Sequence, residues 1–382
     1  MKSLLYRLIA LLLGLSLAFS LAEFAVRLLR PQEVGPPRFA FDQTLGYIPV
    51  PRQKARRNLP GVYDFTYSNN SQGFRGSREY GPKQPGACRV LLLGDSFTYG
   101  FGVNDDQTFA HHLEQYLRQR NLPAEVINAG CPGKGTDYEL KVFQTIGVPL
   151  HPDLTVLCFF PNDFEDNARA EYYDIEPNGE LLAKKLDQGE GIKAFLFHFP
   201  GYNWLISWSH AANLVKESAV RYLVARQNSR NGQPDQGSSA ARASNPAASS
   251  LVVSYSYPGL KFSDDANRRL TDVYVAGLLA AVKQAGSDLA FCYVPIANEV
   301  EAYRRTKEIS PDEAAIKAII EARGGTLFSL TPVLAARPES IRDLYYAEGH
   351  WTRQAHALVG ESLGGYLTAR CRDKLAGRVA SH

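Results

Sequence analysis

Cysteine is scarce in this chain: five residues among 382, an odd number, with no C-x-x-C pair. That argues against a zinc ribbon or a thioredoxin-type dithiol, and the length excludes a miniprotein stapled by disulfides. Cys158 and Cys292 sit inside apolar runs and read as core residues, and Cys131 reads as a buried, inert thiol. An excess of one charge sign is missing too. Lys and Arg number 42 against 39 Asp and Glu, a formal +3, which gives no bulk-charge basis for binding nucleic acid. Gly94, Gly100 and Gly102 do not form G-x-G-x-x-G, and no G-K-[ST] follows, so no nucleotide loop is expected. His111 and His112 lack H-E-x-x-H spacing, which argues against a metal there. With 45% hydrophobic and 21% charged residues the composition is that of a globular protein, neither mainly disordered nor polytopic in a membrane.

A long charge-free apolar run occurs at the N-terminus. From Leu8 to Ala22 there is no charge, with Lys2 and Arg7 before and Glu23, Arg27 and Arg30 after. The run is shorter than the roughly 20 residues of a span, and Ser20-Leu21-Ala22 resembles a small-x-small cleavage site, so a cleaved signal peptide is one reading. Apolar character resumes at Phe24, Ala25, Val26, Leu28 and Leu29, which favours the other, an uncleaved anchor over residues 1–30 with snorkelling arginines. The flanking Lys and Arg are balanced and do not orient it. The expectation of an extracytoplasmic body, periplasmic or cell-surface, rests on targeting.

Residues 31–87 are rich in Pro, Gly, Arg and Tyr and read as an extended lead-in. A periodic pattern then begins. Val90–Leu93 is an apolar run ending in Gly94; a helical stretch carries Phe109, Leu113, Tyr116 and Leu117; Val126–Ala129 ends in Gly130; a second helical stretch covers Asp137–Ile146; Leu154–Phe160 is again apolar. Strand, helix, strand, helix, strand with continuously apolar strands points to a parallel sheet covered on both faces. Residues 170–227, with Phe195, Phe197, Phe199, Tyr202, Trp204 and Trp208, read as an inserted cap whose aromatics form its core, and 228–250 as a disordered linker. The α/β pattern returns with a helix near 264–285, a strand Leu289–Val294, a helix near 311–323, a strand Thr326–Leu330 and a last helix from Thr352 to Ala369. One domain, 88–169 joined to 260–372, is thus expected to be interrupted by an insertion.

Polar residues punctuate the carboxyl ends of the first three strands: Asp95-Ser96, Gly130 and Asn162-Asp163. In an open parallel sheet ligands bind along that edge. Ser96 opens a strand-to-helix turn, where a hydroxyl can be exposed and its N–H can face an anion; Gly130 offers a closely approachable N–H and Asn162 a side-chain amide, together an oxyanion hole. Taken singly the same residues would serve as a helix N-cap, a turn glycine and an Asx turn. A serine nucleophile needs a base. Among eight histidines His350 stands in the most suggestive setting, Ala347-Glu348-Gly349-His350-Trp351, with Glu348 placed to orient the imidazole.

Gly94-Asp95-Ser96-Phe97-Thr98, Asn128-Ala129-Gly130, Asn162-Asp163 and the late acid-x-His turn resemble the ordered blocks of the SGNH/GDSL hydrolase family. The resemblance implies a three-layer α/β/α flavodoxin-like fold, ester substrates, Ser96 as nucleophile, His350 as base, and the Ser96 N–H, Gly130 and Asn162 as oxyanion donors; Glu348 is the candidate acid, with Asp95 and Asp163 in support. The anchor and the phrase Phe160–Asn167 are similar to anchored bacterial SGNH proteins, some tied to exopolysaccharide O-acetylation. Two positions depart from the pattern: Phe160 stands where the family usually has Gly, and position 347, commonly Asp, is Ala. Three functions are consistent with this: an esterase acting on a small-molecule or glycan O-acyl group, an O-acyltransferase, and a non-catalytic envelope glycan-binding protein. The proposed chemistry needs no metal or organic cofactor.

Overall fold

The computed structural model describes residues 2–169, 172–177, 179–186, 199–230 and 263–379. Five segments pair in parallel as one sheet: β1 (Cys88–Gly94), β2 (Ala124–Asn128), β3 (Leu154–Phe159), β4 (Asp288–Tyr293) and β5 (Leu327–Ser329), in the order β2-β1-β3-β4-β5. Every residue of β1, β2 and β3 is buried. Covered on both faces, such strands show uninterrupted apolar runs rather than alternation, which made them visible in the sequence. Helices Phe109–Arg118 and Arg353–Val379 pack together as one cover, and Asp265–Gln284 with Thr136–Val142 and Asp163–Ala168 forms the other. This is the expected three-layer α/β/α arrangement. From β1 the chain steps to β2 on one side and then crosses to β3 on the other, so the order reverses between β1 and β3; a crevice opens at such a switch point, outside the carboxyl ends of the strands.

A disulfide joins Cys88, at the buried start of β1, to Cys371 in the last helix, a sequence separation of 283. Cys131, Cys158 and Cys292 are buried and free, as expected of core thiols, and burial pushes Cys131 up to about 12. The lead-in is more structured than its composition suggested. Phe39–Asp42 and Gly46–Pro49 form an antiparallel hairpin, and Arg75 reaches the loop after the first sheet strand. Its guanidinium pairs with Asp105 at 2.6 Å and donates to the carbonyls of Tyr99, Gly100 and Val103.

The chain divides into two compact units, one comprising Met1–Pro37, Arg56–Asp64 and Glu190–Ser256, the other Arg38–Ala55, Phe65–Gly189 and Tyr257–His382, which carries the sheet. In the first, an apolar helix Lys2–Leu29 is long enough to cross a membrane, and helices Pro200–Trp208 and His210–Arg230 follow. Trp204, expected in the core of an insert, is instead 64% exposed, because that helix meets its neighbours through other side chains. Most of the stretch expected as a linker, 231–250, lies outside the described residues, as do Phe195 and Phe197.

Candidate active site

The first sheet strand ends in Gly94, and a single helical turn, Ser96–Tyr99, begins one residue later. Asp95, not Ser96, caps this turn: its Oδ1 accepts the Phe97 N–H at 2.9 Å. The cap leaves Ser96 as the first helical residue, with its N–H outside the helix's own hydrogen bonds and its hydroxyl unused by the turn. A Cβ on Gly130 would stand 2.3 Å from the Tyr99 nitrogen, so only glycine lets the end of β2 lie against the nucleophile turn. Asn128 stitches the same two pieces together. Its Nδ2 donates to the Thr98 carbonyl at 2.7 Å, and its Oδ1 accepts the Gly130 N–H at 3.1 Å.

On the other side the chain turns tightly from Tyr345 to Trp351. The Tyr346 N–H donates to the His350 carbonyl and the Gly349 N–H to the Tyr346 carbonyl, with Gly349 at φ 107° in a region that favours glycine. The turn brings the Glu348 carboxylate onto the residue two positions later: Oε2 accepts the His350 backbone N–H at 3.0 Å, and Oε1 lies 3.2 Å from Nδ1. A carboxylate only accepts, so Nδ1 carries the proton and Nε2 is left as an acceptor. Ser96 Oγ lies 2.8 Å from His350 Nε2 and 3.4 Å from Asp95 Oδ2; the shorter contact takes the hydroxyl proton. Ser96, His350 and Glu348 therefore form one hydrogen-bonded chain across 254 residues of sequence. The imidazole packs against the tilted rings of Phe97 and Phe101, at 5.1 and 4.9 Å, and the Arg38 guanidinium lies 4.7 Å from the centroid of Phe101.

The oxyanion candidates are less uniform. Gly130 sits beside the nucleophile turn, but its N–H is held by Asn128, so the expected third donor is engaged in this structure. Asn162 donates one Nδ2 hydrogen to Asp166 Oδ2 at 3.3 Å, which leaves the other hydrogen of that amide. Asp163 is fully buried and accepts the Phe160 N–H, closing the turn that carries Asn162. Phe160 is 2% exposed and stacks on Phe97 at 4.5 Å, filling space beside the nucleophile.

Behind the site lies a buried set of carboxyl groups. Burial pushes Asp95 up to about 6, with the Phe97 N–H and His350 acting against it and Asp166 with it. Glu139 and Asp163 are driven well above their ordinary values by burial first; Asp95 then adds to the rise at Glu139, and Glu139 and Asp95 add to the rise at Asp163. Neither carboxyl oxygen of Glu139 has a hydrogen-bond partner among the described residues. His356, also buried, is pushed down to about 3 by desolvation and accepts the Phe109 N–H, a structural histidine. No group of His, Cys, Asp and Glu among the described residues could hold a metal ion. The sequence does not show the task of Asn128 or the packing of His350 against Phe97 and Phe101; aromatics one and five residues after the serine are the available signal.

A family model described as GDSL-like Lipase/Acylhydrolase matches residues 92–358, well over half of the chain. Among solved structures, TesA is 12% identical, covering 74% of this chain and 99% of its own with a TM-score of 0.40. A two-domain esterase active on acetylated mannans is 10% identical over 75% of this chain and 50% of its own, TM-score 0.40. A lipase/acylhydrolase from Enterococcus faecalis is 13% identical over 74% and 96%, TM-score 0.37. No curated protein matches the chain.

Proposed function

The chain belongs to the GDSL-like lipase/acylhydrolase family and is an ester-bond hydrolase; from that premise we propose that it removes a small O-acyl group, from a glycan, through an acyl-Ser96 intermediate. The observation that carries the proposal is the continuous relay Glu348–His350–Ser96. Ser96 Oγ attacks the ester carbonyl carbon as its proton passes to His350 Nε2, and Glu348 stabilises the imidazolium. The carbonyl oxygen, now negative, receives the Ser96 N–H and the second hydrogen of the Asn162 amide. The tetrahedral centre collapses, breaking the bond to the alcohol oxygen, which takes the proton from His350. Water then gives its proton to His350 and attacks the acyl carbon, and Ser96 leaves with that proton. Phe160 filling the space beside Phe97 supports a short acyl group. The disulfide supports an oxidising, extracytoplasmic location for the hydrolase body, since such bonds persist there and not in a reducing cytosol.

The test is Asn162→Ala assayed on an acetylated oligosaccharide. Removing one oxyanion donor should lower kcat roughly a hundredfold or more with the melting temperature unchanged. An unchanged kcat would remove Asn162 from the site. Appearance of acetylated acceptor sugar in place of free acetate would instead make the chain a transferase.

A further inference from the structure

The anchor helix does more than end in charge. Within its last turns Glu23, 7% exposed, accepts hydrogen bonds from Ser209 Oγ at 2.8 Å, the His210 N–H at 3.0 Å and the Ala211 N–H at 2.9 Å, capping helix His210–Arg230 from another element. One turn on, Arg27 pairs with Glu23 and donates to the Trp208 carbonyl at 3.1 Å, the end of helix Pro200–Trp208. The two charges clasp the corner between the helices and fix where the shorter one starts out from the anchor. Gln32 adds a third tie, its N–H donating to His210 Nδ1 at 2.8 Å.

The clasp sets up a ladder of rings. Phe19 of the anchor meets Trp208 edge-on at 6.2 Å, Trp208 meets Trp204 at 5.2 Å, and the ladder ends in open surface, with Trp204 64% and neighbouring Phe199 49% exposed. Phe19 lies four residues before Glu23, about 6 Å along the helix axis at 1.5 Å per residue. The ladder therefore leaves the anchor one turn inside its charged end, the level at which Trp and Tyr rings sit in a bilayer. The anchor is itself an exposed apolar surface at this level, with Leu17, Leu21 and Phe24 all more than half exposed.

We infer that helix Pro200–Trp208 is a second membrane contact, its Trp204 edge lying in the headgroup–acyl boundary of the same bilayer that the Lys2–Leu29 helix crosses. The inference rests on reading that helix as a retained anchor.

The experiment uses the full chain reconstituted in phosphatidylcholine vesicles brominated near the headgroup end of the acyl chains, read by tryptophan emission beside vesicle flotation. Trp204 and Trp208 are two of three tryptophans, and the third, Trp351, is fully buried. The expected result is flotation with strong bromine quenching, and in Trp204→Phe unchanged flotation with loss of about half of the quenchable emission. Flotation without bromine quenching, with the emission open to aqueous acrylamide, would overturn the contact while leaving the anchor. Emission shielded from both quenchers would mean that protein, such as a second copy of the chain, covers the ladder, and would overturn it too. Failure to float would overturn the anchor reading and the inference with it.

Discussion

Replacing Glu348 by Gln tests the relay where it is most local. The carboxylate makes two contacts, and the amide can keep one: its oxygen can accept the His350 backbone N–H and hold the turn, while its NH2 is presented to Nδ1. That favours the tautomer with the proton on Nε2, which cannot accept from Ser96. It also removes the charge facing the imidazolium. Unit charges 3.2 Å apart attract by about 5 kcal/mol at an effective dielectric constant of about 20. The His350 side chain is 22% exposed, so water screens part of this; about 4 kcal/mol remaining corresponds to roughly a thousandfold in rate. The assay is steady-state hydrolysis of p-nitrophenyl acetate by the full chain in detergent, beside a thermal melt. Expected are a kcat lower by about a thousandfold, a KM changed little, and an unchanged melt. A kcat within about threefold of the parent with the melt intact would refute the relay.

Three further outcomes follow from the packing. Phe160→Gly should open the space beside Phe97 and raise the ratio of butyrate to acetate kcat/KM about tenfold, the scale of one or two methylenes in an apolar pocket; an unchanged ratio would separate Phe160 from acyl selection. Glu139 is buried and holds its proton above the ordinary carboxyl range, whereas the unfolded chain releases it there, so stability falls as pH rises above about 4.5. Glu139→Gln should flatten that fall, melting higher than the parent at pH 8 but not at pH 4, and equal melts at both would contradict the buried neutral acid. Cys371→Ser should lower unfolding free energy by up to about 5 kcal/mol on loop-closure grounds, read as a lower denaturant midpoint that reductant no longer shifts; a parent midpoint indifferent to reductant would deny the bond.

The sheet and the reacting residues were legible for a physical reason. Buried parallel strands are mostly apolar, with Arg89 and Glu125 paired to each other where they interrupt the first two, and the switch point places the chemistry at the strand ends, so Ser96, Gly130 and Asn162 stand out just after apolar runs. Glu348 was legible because a single residue of a turn, Gly349, separates it from His350. Other features depend on distance in space that the sequence does not encode. Cys88 and Cys371 carry no spacing signal. Arg75 looks like any arginine in a polar stretch, yet its guanidinium holds three carbonyls after the nucleophile turn. Helix Ala297–Thr306 buries only Ala297, Glu299 and Val300, too few to mark a helical period. The settings of Glu23 and Trp204 are not marked in the sequence, because the corner that holds them is tied to the N-terminal helix by contacts between positions 187 residues apart. The bound state of the Gly130 N–H likewise depends on Asn128, two residues away but on a turn only the fold defines.

The central claim is that Ser96 is activated by His350. Its most direct measurement is the intact mass of the full chain after treatment with a fluorophosphonate, run beside Ser96→Ala and His350→Ala. The account expects one adduct on the parent, on Ser96, and none on either variant. A folded parent that takes no adduct, or an adduct that survives in Ser96→Ala, would contradict it.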